Sequence, residues 1–143
     1  IVKLSPNVTD IAATAAAVES AGADAVSAVN TFVGMKIHRH SRRPVLPGAG
    51  TGGLSGPAIK PLALAAVAAV RAAVRIPVVG VGGIMDAGDA VDFLVAGADA
   101  VQVGTASFVT PLAAPGIVDG LRRYLDEAEL PSAAALRWSV TAV

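Results

Sequence analysis

Ile76-Pro-Val-Val-Gly-Val-Gly82-Gly83-Ile84 and, one helix later, Ala98-Asp-Ala-Val-Gln-Val-Gly104-Thr105 decide the fold of this chain. Each is an apolar, strand-like run that stops abruptly at glycine, and a glycine end lets the backbone approach an anion closely. Two such ends in successive βα units are how the last two strands of a (β/α)8 barrel hold a phosphate. The amides near Gly83 and Thr105, with the Thr105 hydroxyl, are the expected grip. One glycine pair alone would be read as a turn. Two at successive strand ends, each followed by a helix, favour the phosphate.

Working outward, Ile1–Leu4 and Ala25–Asn30 join Pro77–Val81 and Ala100–Val103 as strand candidates. All are nearly continuous apolar runs, the pattern of a parallel sheet buried on both faces. Between them, Val8, Ile11, Ala12, Ala15 and Val18 keep helical spacing, with Gly22 placed to end that helix. Pro61 to Val74 reads as a second helix with Pro61 in its first turn. Asp86 opens a third, with Asp89 in capping-box position; Ala87, Val91, Leu94 and Val95 form its apolar stripe and Gly97 ends it. Pro115 starts a fourth, with Ile117, Val118, Leu121, Tyr124, Leu125 and Ala128 on one face. The hexapeptide Ala21-Gly-Ala-Asp-Ala-Val26 recurs at Ala96-Gly-Ala-Asp-Ala-Val101, each copy closing a helix and entering a strand. It marks a repeated αβ unit, or the common turn chemistry of an alanine-rich chain.

The reading is therefore an α/β chain of about four parallel strands alternating with helices, a single partial TIM-barrel domain. A complete (β/α)8 barrel needs about 250 residues, and this chain has 143. It opens at Ile1 inside a strand-like run, which predicts a fragment of a longer protein. Residues 130–143 remain an unassigned tail.

Composition narrows the function. Eleven basic and eleven acidic residues balance to zero net charge, and there is no cysteine. There is no basic surplus for nucleic acid or an anionic membrane, no disulfide framework and no thiolate chemistry. The longest apolar stretch, Leu62 to Val70, is well short of the ~18 residues of a membrane helix. A soluble, cytoplasmic protein is expected. His38 and His40 lie in a charged segment with no carboxylate nearby in sequence, and no metal site is expected.

Four features remain. Thr31 to Gly56 is a long polar, glycine-rich connection of the kind that covers the active face when it follows a barrel strand. Within it, Gly48-Ala-Gly-Thr-Gly-Gly-Leu-Ser-Gly56 runs into Pro57 and a helix, and suits a phosphate or the polar edge of a cofactor; it lacks the Lys-Ser/Thr ending of a P-loop. Lys3 stands inside an apolar strand, either inward as a cation facing an electron-rich ligand or snorkelling at a chain end. Asn30-Thr31, at a strand end, can hydrogen-bond a planar amide-bearing ring or start a turn. Trp138 is expected to pack.

With these residues placed, the chain resembles the C-terminal half of the class 1 dihydroorotate dehydrogenases, FMN-dependent (β/α)8 barrels of pyrimidine biosynthesis. The matching runs are Val2-Lys3-Leu4-Ser5-Pro6-Asn7, Val29-Asn30-Thr31, Gly52-Gly-Leu-Ser-Gly-Pro-Ala-Ile-Lys-Pro61, Gly80-Val-Gly-Gly-Ile84 and Val103-Gly-Thr105, in order over residues 1–128. The first of these and Gly34-Met-Lys-Ile37 look like subclass 1B. The resemblance implies that Lys3 contacts the flavin ring and favours its reduced form. It implies that Val29 and Gly56 contact FMN, that Gly82, Gly83, Gly104 and Thr105 hold its phosphate, and that Asn30 and Thr31 bind dihydroorotate or orotate. In the family, hydride passes to the flavin while, in 1B enzymes, a cysteine base removes a proton. That base, a substrate lysine and several asparagines belong to the N-terminal half, so the resemblance implies a cofactor-binding chain with no catalytic residue of its own. The 1B likeness also implies an iron–sulfur flavoprotein subunit as electron-transfer partner. Open sheet edges imply pairing with the other half or with another copy. The alternatives are another phosphate-binding barrel segment, from a different flavin oxidoreductase or a sugar-phosphate isomerase, and a non-catalytic half-barrel scaffold.

Overall fold

Valine-rich runs pair with one another under a layer of helices, which hides one face of the sheet. The computed structural model describes residues 1–140. Along the chain run β1 (Val2–Leu4), α1 (Ile11–Ser20), β2 (Val26–Ala28), β3 (Phe32–Met35), β4 (Ile37–His38), β5 (Arg43–Pro44) and β6 (Thr51–Leu54). They are followed by α2 (Lys60–Ala73), β7 (Val78–Val81), α3 (Ala87–Val95), β8 (Ala100–Gln102), α4 (Thr105–Val109) and α5 (Ala113–Glu127), with short 3-10 turns at Pro57–Ile59 and Ala133–Leu136. β1, β2, β7 and β8 form one parallel sheet in that order, the alternation of part of a TIM barrel. The four expected strands are these four. Hydrogen bonds from Val29 to Val81 and from Asn30 to Leu4 carry the second strand's pairing to the expected end at Asn30.

Pleating sorts the side chains. Leu4, Val26, Ala28 and Val78 are buried in one core with Ala15 of α1, Val67 and Val70 of α2, and Phe93 of α3. A β-carbon at Gly80 would lie 2.6 Å from the Phe93 ring, so a bare backbone there is what admits the largest buried side chain. The alternate residues, Lys3, Ser27 and Val79, stand in register on the opposite face, with Val81 and Gln102 paired one row on. Helices do not cover that face. Ser27, the one buried polar residue among the described residues, donates to the Gln102 side-chain oxygen at 3.2 Å.

The repeated hexapeptide folds the same way twice. Gly22 (φ +92°) and Gly97 (φ +113°) each sit just past a helix end. The Gly22 and Ala23 amides return to Glu19 and Val18, and those of Gly97 and Ala98 return to Leu94 and Phe93. Both ends are Schellman turns, which need the left-handed residue that glycine supplies. The copies differ in load. Asp99 accepts from the Val78 amide at 2.8 Å and pairs with Arg71 and Arg137. The second helix and the capped third helix are as expected: Pro61 lies in the first turn of α2, and Asp86 and Asp89 form the capping box of α3.

Three expectations change. The connection from Thr31 to Gly56 is not a loop but a β arm, in which β3 pairs antiparallel with β6 and β4 with β5. Its glycine-rich strand shows no alternation to betray it. His38 and His40 belong to the tip of this arm. The fourth helix begins at Ala113 rather than Pro115, and a short α4 precedes it. On α5, Ile117 is buried and Leu121 and Leu125 pack inward, while Val118 and Tyr124 are exposed, so the buried stripe is narrower than expected.

The tail has a structure up to the edge of the described residues; residues 141–143 lie outside them. Leu136 packs on Val91 and Leu94, Arg137 reaches Asp99, and the Trp138 ring lies over Gly97 while staying half-exposed. No helix among the described residues is long and apolar enough to cross a membrane.

The two Schellman glycines give a paired test. A β-carbon at Gly22 would meet nothing within 4 Å, whereas one at Gly97 would lie 2.4 Å from the Trp138 ring and 2.5 Å from Arg71. Gly22→Ala should therefore cost only the left-handed backbone term, about 1 kcal/mol. Gly97→Ala should cost clearly more in urea unfolding; equal losses would contradict the packing described.

Candidate active site

The C-terminal ends of the four sheet strands open into one cleft. It is lined by Lys3 from β1, Val29, Asn30 and Thr31 after β2, Ser55 and Gly56 ahead of α2, Gly82 and Gly83 after β7, and Gly104 and Thr105 after β8. Ile59, Val81, Ile84 and Gln102 complete it, and its enclosed part measures about 100 Å³. All nine residues singled out in the sequence are brought together here, from five separated segments. Ser55 and Gln102 were not singled out. The signal for Gln102 was the same as for Lys3, a polar residue inside an apolar strand. Ser55 lay unremarked inside the glycine-rich run.

Lys3 lies on the sheet face turned away from the helices, which settles its direction: inward, toward the cleft. Asn30 starts a turn and also stands in the cleft wall. Its side-chain oxygen accepts from the Thr31 amide at 2.8 Å, a local turn, while the residue lines the cleft. Asn7 fixes the other side of that turn, donating to the Thr31 carbonyl and accepting from the Val33 amide, both at 2.9 Å. The Ala28–Val29 peptide is cis.

The glycine ends are built for close approach. Gly82 (φ +136°) and Gly83 (φ +80°) adopt backbone that side chains rarely take. A β-carbon on Gly82 would lie 2.7 Å from Ala63, and one on Gly83 would lie 2.9 Å from the Gly56 carbonyl and the Lys60 amide. Above Gly104, by contrast, the space is open. Thr105 begins α4, so its amide has no carbonyl one turn back to bond. Its hydroxyl donates to Ser55 at 2.8 Å, tying the β8 end to the segment that starts α2. Of the glycine-rich run, only Ser55 and Gly56 reach the cleft; Thr51–Leu54 belongs to the β arm.

An FMN fits this donor set. Gly83 and Thr105 line the cleft and offer backbone amides and a hydroxyl to a phosphate-sized group. Val29, Val81 and Ile84 give the same cleft an apolar lining that suits a planar ring, and Lys3 adds a cation to it.

The family model for dihydroorotate dehydrogenase matches residues 1–125. The chain belongs to that family. It is 61% identical over 127 residues to a Trichlorobacter lovleyi protein named dihydroorotate dehydrogenase B (NAD(+)), catalytic subunit, covering 89% of this chain and 41% of that one. Proteins of the same name from Desulforamulus reducens and Porphyromonas gingivalis are each 60% identical, over 127 and 125 residues, covering 89% and 87% of this chain and 41% and 40% of theirs. The B type is the one that the Lys-Leu-Ser-Pro-Asn run resembles. The chain spans about two fifths of the length of these relatives.

Two carboxylates brace the fold at opposite ends of the sheet, Asp99 where the strands begin and Asp89 behind the glycine turn of the cleft. Burial pushes the Asp99 carboxyl up, but the Val78 amide and the Arg137 and Arg71 guanidiniums outweigh it and hold the group below its ordinary value of 3.8. For Asp89, burial is likewise overcome, here by Lys60 and the Met85 and Asp86 amides. A carboxylate whose folded pKa is depressed adds stability that is complete above the ordinary value and lost as pH falls through the folded one. Urea unfolding midpoints should therefore drop as pH falls below about 4. Asp99→Asn should lower stability at neutral pH and flatten that dependence; an unchanged acid limb would contradict the assignment.

Proposed function

We propose that this chain is the FMN-binding, C-terminal half of a dihydroorotate dehydrogenase barrel, part of an enzyme that oxidises dihydroorotate to orotate in pyrimidine biosynthesis. The observation that carries the reading is the convergence of nine residues, named from motif chemistry and the family resemblance and scattered from Lys3 to Thr105, on a single cleft. Membership of the family and the names of the relatives support it.

Each residue then has a task. Gly82, Gly83, Gly104 and Thr105 receive the phosphate, Gly83 through backbone that a side chain would obstruct. Val29 and Gly56 bound the flavin. Lys3 brings a cation to the ring, where it favours added negative charge. Asn30 and Thr31, fixed by Asn7, present polar groups to the substrate ring. When bound, FMN would supply the acceptor for a hydride, that is, for both electrons of the oxidation. Removing the accompanying proton needs a base, and the lining includes no carboxylate, imidazole or thiol. This chain therefore binds and orients, and the base comes from the remaining barrel.

The same reading assigns partners. β1 and β8 each pair with one neighbour among the described residues, and we assign their free edges to the other half of the barrel or to a second copy. The relatives are named catalytic subunits, which supports a partner subunit; we take it to be an iron–sulfur flavoprotein and the setting to be the cytoplasm.

FMN titrated with the purified chain should lose fluorescence at micromolar protein, and Lys3→Ala should weaken binding or shift the flavin's reduction potential. Unchanged fluorescence at saturating protein would sink the cofactor assignment. Dihydroorotate oxidation by this chain alone should not exceed the buffer rate, because loss of a general base typically removes 10²–10⁴-fold; robust turnover would show that the base lies within these 143 residues.

A further inference from the structure

Lys60 is the first residue of α2, immediately behind the glycine turn of the cleft, yet its charge points away from it. Its ammonium donates to Asp89 and lies 2.6 Å from an Asp92 oxygen, both on α3. Lys60 and Asp89 are largely buried, while Asp92 is half-exposed. The other Asp89 oxygen accepts from the Met85 amide at 2.8 Å and from the Asp86 amide at 3.3 Å. One carboxylate thus holds three things together: the start of α2, the segment leading out of the Gly82–Gly83 turn, and the first turn of α3.

The space these elements enclose has no slack. A β-carbon at Gly83 would sit 2.9 Å from the Lys60 amide and Cβ, so the turn and the start of α2 touch backbone to backbone. On the far side, a β-carbon at Gly56 would be 3.4 Å from the Thr105 methyl, and Thr105 bonds Ser55. The anion-receiving amides therefore sit on segments whose separation is fixed from behind. Charge acts in the same direction. Asp89 and Asp92 are two carboxylates close to an anion site, and Lys60 offsets them. Without it, a partly buried carboxylate loses its partner, and its field opposes any phosphate nearby.

We propose that Lys60 and Asp89 form a positioning pair that sets the gap between the Gly83 turn and the start of α2, and thereby the affinity of the cleft for a phosphate group. Lys60 is not a phosphate ligand in this arrangement; it acts through the backbone it holds and the carboxylates it neutralises. Naming the phosphate as that of FMN rests on the function proposed above.

The test separates the phosphate from the ring. FMN and riboflavin, which lacks the phosphate, are titrated into the chain and into Lys60→Met, Lys60→Arg and Asp89→Asn, with circular dichroism and thermal unfolding recorded for each. Thermal stabilisation by inorganic phosphate is measured in parallel. The expected result is an FMN affinity about tenfold weaker in Lys60→Met. Riboflavin affinity should stay within about twofold, and Lys60→Arg should recover most of the loss. Asp89→Asn, which keeps an acceptor for the Met85 amide, covers the case in which Lys60→Met does not fold; it should show an FMN-selective loss too, smaller than that of Lys60→Met because it loosens the turn but also removes a negative charge. Equal losses for FMN and riboflavin, or none for either, would overturn the pair's role while leaving the flavin reading intact. If FMN does not bind but phosphate stabilises the parent chain and not the variants, the flavin reading falls and the positioning pair stands. If neither binds, both fall.

Discussion

Helices cover one face of the four-stranded sheet, and the pleat then fixes the address of every side chain in the cleft. Once Val26, Ala28 and Val78 are committed to the layer shared with Val67, Val70 and Phe93, their alternates have no choice. Lys3, Ser27, Val79, Val81 and Gln102 must stand on the uncovered face. A one-residue slip in β1 would exchange Lys3 with Leu4, burying an ammonium and exposing a leucine. The register that hides the core is thus the register that brings a lysine into the cleft, and the two cannot be altered separately.

A second constraint works at the strand ends. Backbone has to come close to backbone where the Gly82–Gly83 turn meets the start of α2, and side chains are excluded there. That side of the cleft is consequently a wall of main chain, bordered by the Ser55 and Thr105 hydroxyls. Shape at such a wall cannot be tuned by swapping contact residues. It can be tuned only by moving the elements that carry the backbone, which explains why charged groups one layer back belong to the account of the site.

Much of this was legible from residues alone, for definable reasons. The four sheet strands announce themselves as nearly unbroken apolar runs, although in this chain helices cover only one of their faces, and Gly22, Gly97, Asp86 and Asp89 punctuate the helices by local hydrogen bonding that needs no tertiary context. The cleft was legible because its residues violate their surroundings: a lysine within a strand, glycines where a strand could continue. What failed was information held elsewhere in the chain. Thr51-Gly-Gly-Leu54 becomes a strand only because Phe32–Met35 lies beside it, and glycine carries no alternation to signal that. α4 is too short to display a period. Val118 and Tyr124 satisfy helical spacing but lie at the flanks of α5, beyond the i, i+4, i+8 line of Ile117, Leu121 and Leu125. Asp89 was visible as a capping residue, yet its bond to Lys60 joins positions 29 apart, a relation that no local pattern encodes.

Trp138, the chain's single tryptophan, lies against Gly97 and Arg71 at the end of the sheet where strands begin, whereas the cleft lies where they finish. Nature has thereby placed an optical reporter at the opposite pole from the binding region. Changes in its emission follow the seating of the terminal segment on α3, while a ligand's own spectrum follows the other end. Two local events in one small domain can be watched in separate colours, with no label attached.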